Sequence, residues 1–366
     1  MKRSAALLLS ALLLALAACA AVPDPAQSPS APTVPAPPEG SPAALAQTGT
    51  DYAFRAAAYG VAYEGYGRPG QPEVMAASGP EELAALLPAE PSDRLREAAD
   101  RYDAAWFETH RLLLLRITEP SGSNSHEVTG VRSDGAALTV DLTRVLPEVG
   151  TCDMADWLIL IEVDGTPPAD LPLRAAVSLR QTWSWYYANA TLTLPEGWVC
   201  APEEGEDGFR LLLRPEGESG GLLLRVQNSP EGTCGTGLTL ETLTFPSGLT
   251  ADQGTYDGGA QWTFLRFLGL PGDYTVWNQG AEDWWEAHGE EAMAILAGAE
   301  LGLGSLTESE AVALAEAACT VDYASVRAGF DLISGLWTVD FLPQGAGGDQ
   351  TVTVARDGSA SSVWGE

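Results

Sequence analysis

Lysine is almost absent from this 366-residue chain, and the 19 basic residues face 50 acidic ones for a formal charge of −31. Nucleic acid and anionic lipid headgroups are bound through clusters of Lys and Arg, so neither is an expected partner for so acidic a surface. Histidine is scarce too, with three in the whole chain, at positions 110, 126 and 288. His126-Glu127 opens like a zinc-binding His-Glu-x-x-His, but Gly130 stands where the second histidine would be. No Cys-x-x-Cys occurs, which removes zinc knuckles and thioredoxin-type redox sites. Gly-x-Ser-x-Gly, a Walker loop and a complete Gly-x-Gly-x-x-Gly are all missing. Beyond the first residues no apolar stretch is long enough to cross a membrane. No catalytic residue, metal ligand or cofactor is therefore expected.

What is present begins with the N-terminus. Met1-Lys2-Arg3 is a short basic segment, and Ala5 to Ala18 is an apolar run too short for a permanent span. Leu16-Ala17-Ala18-Cys19 resembles the lipobox of bacterial lipoproteins. That resemblance implies removal of residues 1–18 as a signal peptide and diacylglyceration of Cys19, giving an extracytoplasmic protein anchored to the bacterial membrane by acyl chains such as palmitate. Two of the 19 bases leave with the signal, so 17, all arginine, remain against 50 acids, a charge of −33. Residues 19–48 read as the lipidated cysteine and a disordered linker, because Pro23, Pro25, Pro29, Pro32, Pro35, Pro37, Pro38 and Pro42 favour extended polyproline II. At about 3 Å per residue the linker lifts the folded part of the chain several nanometres from the lipid.

The remainder reads as α+β, three small domains with antiparallel sheets and packed helices. In the first, 51–175, Ser78-x-x-Glu81 is a capping-box pattern opening a short helix, and a second helix is expected from Leu95 to Trp106. Strands are expected after it at 111–118, 126–131, 137–143 and 158–163, with Ser133-Asp134-Gly135 as a hairpin turn. The second, 183–302, is a meander of strands closed by a helix from Glu282 to about Ala299, whose Trp284, Trp285, His288, Ala292, Ile295 and Leu296 share one face. In the third, 303–366, Thr307-Glu308-Ser309-Glu310 is a capping box before an Ala/Leu-striped helix, with strands at 323–330, 336–341 and 351–355.

Two of these blocks carry resemblances. Tyr102-Asp103-Ala104-Ala105-Trp106-Phe107, the strand Leu112 to Ile117, Ser121-Gly122-Ser123 before His126-Glu127-Val128, and Gly150-Thr151-Cys152-Asp153 before the strand Leu158 to Val163 resemble the PrcB family, named for a subunit of a surface protease complex. The run Glu310-Ala311-Val312-Ala313-Leu314-Ala315, Gly335-Leu336-Trp337-Thr338-Val339-Asp340-Phe341 and the closing Asp357-Gly358 are similar to the PepSY family. Both resemblances imply a non-catalytic binding or regulatory subunit for an extracellular peptidase.

Other side chains offer narrower expectations. Trp183, Trp185 and Tyr187 alternate, so on a strand they share one side, either as a row for cell-wall carbohydrate or as a buried seam. Cys152, Cys200, Cys234 and Cys319 allow three full pairings, and Cys200 with Cys234, in one block, is the candidate disulfide. Ser121-Gly122-Ser123-Asn124-Ser125 beside His126 reads as a turn rather than a nucleophile loop. His110 comes just after a helical turn, and His288 sits at the edge of an apolar helix stripe. Glu203 to Asp207 and the acids of 282–291 lack the order of a calcium loop.

Overall fold

The structure, a computed structural model, describes residues 49–205, 207–228, 235–259, 261–344 and 349–364. The expected signal peptide, Cys19, the whole linker and Cys234 lie outside the described residues. The chain enters through β1 (Thr50–Asp51), β2 (Phe54–Val61) and β3 (Glu73–Ala77). Three short helices come next, α1 (Pro80–Leu86), α2 (Asp93–Ala99) and α3 (Ala104–Phe107). After them run β4 (His110–Glu119), β5 (Ser125–Ser133), β6 (Leu138–Leu146), β7 (Ala155–Asp164) and the long β8 (Leu173–Trp185).

Strands β4 and β7 form the middle of a four-stranded antiparallel sheet of order β2-β7-β4-β3. Their uninterrupted apolar runs, Leu112 to Leu115 and Leu158 to Ile161, result from being covered on both faces. Successive side chains of a strand point to opposite sides. Accordingly Leu112, Leu114, Leu158 and Leu160 pack with Leu83, Leu95 and Ala98 of α1 and α2. Leu113, Leu115, Ile159 and Ile161 pack with Val131, Leu138, Val140 and Leu142 of β5 and β6. Each fully buried leucine contributes about 1.5–3 kcal/mol relative to an exposed one, so this helix–sheet–sheet sandwich is the stable base of the unit.

Local differences from expectation have local causes. The N-cap of α1 is Gly79 rather than Ser78, because Pro80 takes the first helical position, and the N3 residue Glu82 accepts a hydrogen bond from the Ser78 N–H at 2.7 Å. The helix expected over 95–106 is two: α2 capped by Ser92, and α3 begun afresh by Asp103, whose carboxylate accepts from the Trp106 N–H at 2.8 Å. The hairpin at 133–135 forms as expected, with Asp134 accepting from the Ala136 and Ala137 N–H groups and Gly135 at φ 82°.

Strand β8 runs parallel to β6, a departure from the all-antiparallel expectation that arises because β7 crosses to the other sheet between them. Residues 176–182, expected between the first and second blocks, are the middle of this one strand. On its far side β8 pairs antiparallel with β9 (Ala188–Leu194), and with β17 (Glu300–Leu301) at the edge the sheet has the order β1-β5-β6-β8-β9-β17. The meander continues through β10 (Trp198–Gly205), β11 (Gly208–Pro215), β12 (Leu222–Gln227), β13 (Leu238–Thr244), β14 (Thr250–Tyr256), β15 (Phe264–Phe267) and β16 (Asp273–Asn278). These seven strands form one antiparallel sheet of order β10-β11-β12-β16-β15-β14-β13. Helix α4 (Glu282–Ala297) and β17 (Glu300–Leu301) complete this part of the chain.

The last segment is α5 (Glu308–Ala318) with β18 (Ser325–Asp331), β19 (Leu336–Leu342), β20 (Gln350–Val354) and β21 (Ala360–Trp364), the strands forming a four-stranded meander. The capping box of α5 forms as expected: Thr307 accepts from the Glu310 N–H, and Glu310 reaches back to the Thr307 N–H at 2.8 Å. One hydrophobic core runs from β9 through the inner face of the seven-stranded sheet and α4 to Ala311, Ala315, Phe330, Trp337 and Phe341. Thr48–Glu366 is correspondingly one compact unit. Among the described residues no helix is long and apolar enough to cross a membrane.

Candidate functional site

The residues singled out by sequence do not assemble into one place. Ser123 Oγ lies 3.0 Å from Thr151 Oγ1 and accepts from the Thr151 N–H at 3.1 Å, which ties the 121–125 turn to the 150–153 loop. His126 points elsewhere, with a fully buried side chain whose Nε2 is 2.9 Å from Glu119 Oε1. Serine and histidine are therefore members of separate networks. His110 stacks on Trp106 at 4.8 Å with its Nδ1 3.3 Å from the Trp106 carbonyl, the helix-end contact expected of it.

Glu119, at the end of β4, is the centre of a network that sequence reasoning misses. Arg144 grips both its oxygens, Nε to Oε1 at 2.7 Å and Nη2 to Oε2 at 2.6 Å, and Asn124 Nδ2 donates at 2.8 Å. Burial alone would raise the carboxyl, but the hydrogen bonds from Arg144, His126 and Asn124 overcome it and hold the group at about 2. One strand position away, Asp156 accepts from Thr118 Oγ1 at 2.6 Å and from the N–H groups of Glu64 and Gly65. This pair of carboxylates pins the 62–70 loop and the 121–125 turn to the sheet. Asn124 and His126 stand next to a turn signal; nothing in the spacing of Glu119 and Arg144 announces that they meet.

Trp183 and Trp185 lie half-buried on β8 against the largest core. Tyr187 is not in line with them, because β8 ends at Trp185 and Tyr186 turns the chain at φ 52°. Its N–H donates to the Leu332 carbonyl at 3.1 Å and its ring lies over Gly335. The exposed acids of 282–291 line the outer side of α4. Among the described residues no group of three or more His, Cys, Asp or Glu forms a metal site.

Cys200 is a free, half-buried thiol that burial pushes up to about 12, and Cys152 is a free, exposed one. The thiolate is the reactive form. A thiol-directed alkylating label applied to the native protein at pH 8 is therefore expected to modify Cys152 and leave Cys200 untouched until denaturant is added. Peptide mass spectrometry reads both outcomes, and equal labelling of the two in the native state would contradict this burial.

Four tryptophans meet around the start of α4: Trp284 and Trp198 are buried in the core, and Trp285 and Trp262 are half-buried at its edge. Trp262, Trp285, Trp284 and Trp198 succeed one another with ring centroids 5.3, 5.4 and 6.0 Å apart. The close approach depends on glycine. A Cβ at Gly280 would stand 2.3 Å from the Trp284 ring, one at Gly220 2.7 Å from it, and one at Gly289 2.4 Å from the Trp285 ring.

On one side of this ridge is a cleft of about 590 Å³ lined by Glu218, Gln279, Asp283, Trp284 and His288 among others. His288 Nε2 is 2.9 Å from Glu218 Oε1, and the imidazole also faces Glu291 at 4.0 Å. On the other side is a cleft of about 350 Å³ lined by Gln253, Thr255, Gly259, Gln261, Trp262 and Trp285. Concave surfaces with aromatic walls and a few polar groups are where small ligands bind. The helix stripe is legible in the sequence as a face, but the sheet half of each cleft comes from turns and strands far away in the chain. Comparison with protein families, with curated proteins and with solved structures finds no match to this chain.

Proposed function

We propose that this protein is an extracytoplasmic, lipid-anchored binding or regulatory protein that holds a ligand from outside the membrane and does no chemistry on it. The observation that carries the reading is the tryptophan ridge at the start of α4 with a cleft on each side. Acyl chains on Cys19 and the proline-rich linker would hold these clefts several nanometres above the lipid, a reach suited to a ligand outside the membrane. The PrcB-like residues of 102–163 and the PepSY-like residues after Thr307 favour a second reading in which the partner is an extracellular peptidase.

One experiment tests both. A photoreactive amino acid in place of Ala287, exposed beside Trp284 on the rim of the larger cleft, is irradiated on intact cells. Adducts are expected from the anchored protein, and Cys19→Ala is expected to move the protein from the membrane fraction to the soluble one. Peptidase peptides in the adduct support the regulatory reading, whereas a saccharide adduct supports a cell-wall ligand. Absence of any adduct overturns the binding reading, and retention of the Cys19→Ala variant in the membrane overturns the anchor.

A further inference from the structure

We infer that the smaller cleft, between Trp285 of α4 and the outer run of β14, is a binding site for a neutral glycan; this rests on the reading that the α4 ridge is a ligand site.

The floor of the cleft is a strand face that changes character along its length. Ala251, Gln253 and Thr255 point to the same side of β14, since alternate residues share a face. Ala251 is fully buried in the core, whereas Gln253 and Thr255 are half-exposed. Gln261 and Trp262 enter from the segment before β15, and Trp285 closes the cleft from above.

Each lining group suits a ligand dense in hydroxyls. The carboxamides of Gln253 and Gln261 each offer two donors and one acceptor, and Thr255 adds a hydroxyl. Among the described residues none of these side chains makes a hydrogen bond within the protein. Trp262 and Trp285, half-buried and in edge contact at 5.3 Å and 67°, add apolar ring surface of the kind that packs on the C–H side of a sugar. Among the described residues no ionisable side chain lines this cleft, in a chain with 50 acids. The neighbouring cleft, with Glu218, Asp283 and His288, shows the contrast. An anion would lose its hydration here and enter against the net negative field, to which Glu241, opposite Gln253 on β13, adds.

The aromatic walls are held in place before any ligand arrives. Asn278 Oδ1 accepts from Trp285 Nε1 at 2.8 Å, and Asn278 Nδ2 donates to the Trp262 carbonyl at 2.8 Å. A single side chain thus fixes the Trp285 indole and the backbone at Trp262, which lowers the ordering cost left for binding.

Titration of the full mature chain, in detergent, with uncharged hexasaccharides of glucose and of N-acetylglucosamine tests the site by calorimetry and tryptophan fluorescence. At least one saccharide is expected to bind and to change tryptophan emission. Gln253→Ala, whose side chain has no hydrogen-bonding partner among the described residues, and Trp285→Ala are each expected to weaken that binding at least tenfold. Glu97→Gln, on the exposed side of α2, is expected to leave it within twofold. Unchanged thermal unfolding of Gln253→Ala separates loss of the site from loss of the fold. Failure of every saccharide to bind, binding indifferent to Gln253→Ala, or tighter binding of an uncharged peptide overturns the glycan assignment. If the Ala287 photoadducts still form in that case, the ridge remains a binding site and only its ligand class falls; if they are lost as well, both readings fall.

Discussion

Glu119→Ala is expected to destabilise the folded unit by about 3–5 kcal/mol, because it leaves the Arg144 guanidinium and the His126 imidazole inside the protein without their shared acceptor. The side chains of Glu119 and His126 are fully buried and that of Arg144 is 16% exposed, so water reaches little of what the substitution orphans. Part of the cost falls on the 121–125 turn, where Asn124 Nδ2 loses its acceptor too. Urea unfolding should show a lower midpoint with an unchanged slope. The double substitution Glu119→Leu with Arg144→Met removes both charges and is expected to cost less than Glu119→Ala alone, since the burden lies in an unpaired buried charge rather than in lost attraction. A single-variant cost below about 1 kcal/mol, or a double variant worse than the single, would contradict this account.

The same carboxylate makes stability depend on acid in a defined direction. Glu119 titrates near 2 in the folded state against 4.5 for an unperturbed glutamate, so the folded form binds its proton less readily than the unfolded chain does. Its contribution is complete above pH 4.5 and is lost as the pH falls through 4.5 toward 2, amounting to about 3 kcal/mol between those limits. Glu119→Gln, which keeps the shape without the charge, is expected to be the less stable protein at pH 7 and to approach the parent near pH 2. Parallel curves for the two proteins over this range would show that the charge is not what the network holds.

Much of the fold is legible in the sequence because the core strands announce themselves. Leu112 to Leu115 and Leu158 to Ile161 can only be strands buried on both faces, and the Thr307–Glu310 box fixes the start of α5. The strands without a clear signature are amphipathic or small-residue edges such as Glu73–Ala77 and Ala360–Trp364, whose pairing depends on neighbours the local pattern does not reveal. β8 shows the limit most clearly. Its alternating Trp183 and Trp185 mark a strand, but Leu173 to Thr182 carries no period strong enough to show that one strand joins two expected blocks. The candidate clefts are half legible. Periodicity places Trp284 and Trp285 on a helix face, while Gln253, Thr255 and Gln261 are ordinary polar residues until the sheet brings them under Trp285.

Leu332→Asp is expected to undock the C-terminal helix and meander from the rest of the unit. Leu332 is fully buried although it sits in the turn after β18, a place where side chains are normally exposed. It is inserted between segments that belong to other parts of the chain. Its N–H donates to Asn228 Oδ1 at 2.8 Å, its carbonyl accepts from the Tyr187 N–H at 3.1 Å, and its side chain packs on Gly272, where a Cβ would come within 2.9 Å. Leu332→Ala, which leaves a cavity, should cost about 2–5 kcal/mol. The aspartate must either take up a proton or pull the turn into water, and the second course breaks the bonds to Asn228 and Tyr187 together. Hydrogen exchange should then accelerate through β18, β19 and β20, and the chain between α4 and α5 should become a site of limited proteolysis. Protection in β4 and β7 should be unaltered, because their two cores contain no residue from beyond position 175. Exchange and stability within about 0.5 kcal/mol of the parent would mean that Leu332 does not join the C-terminal meander to the seven-stranded sheet.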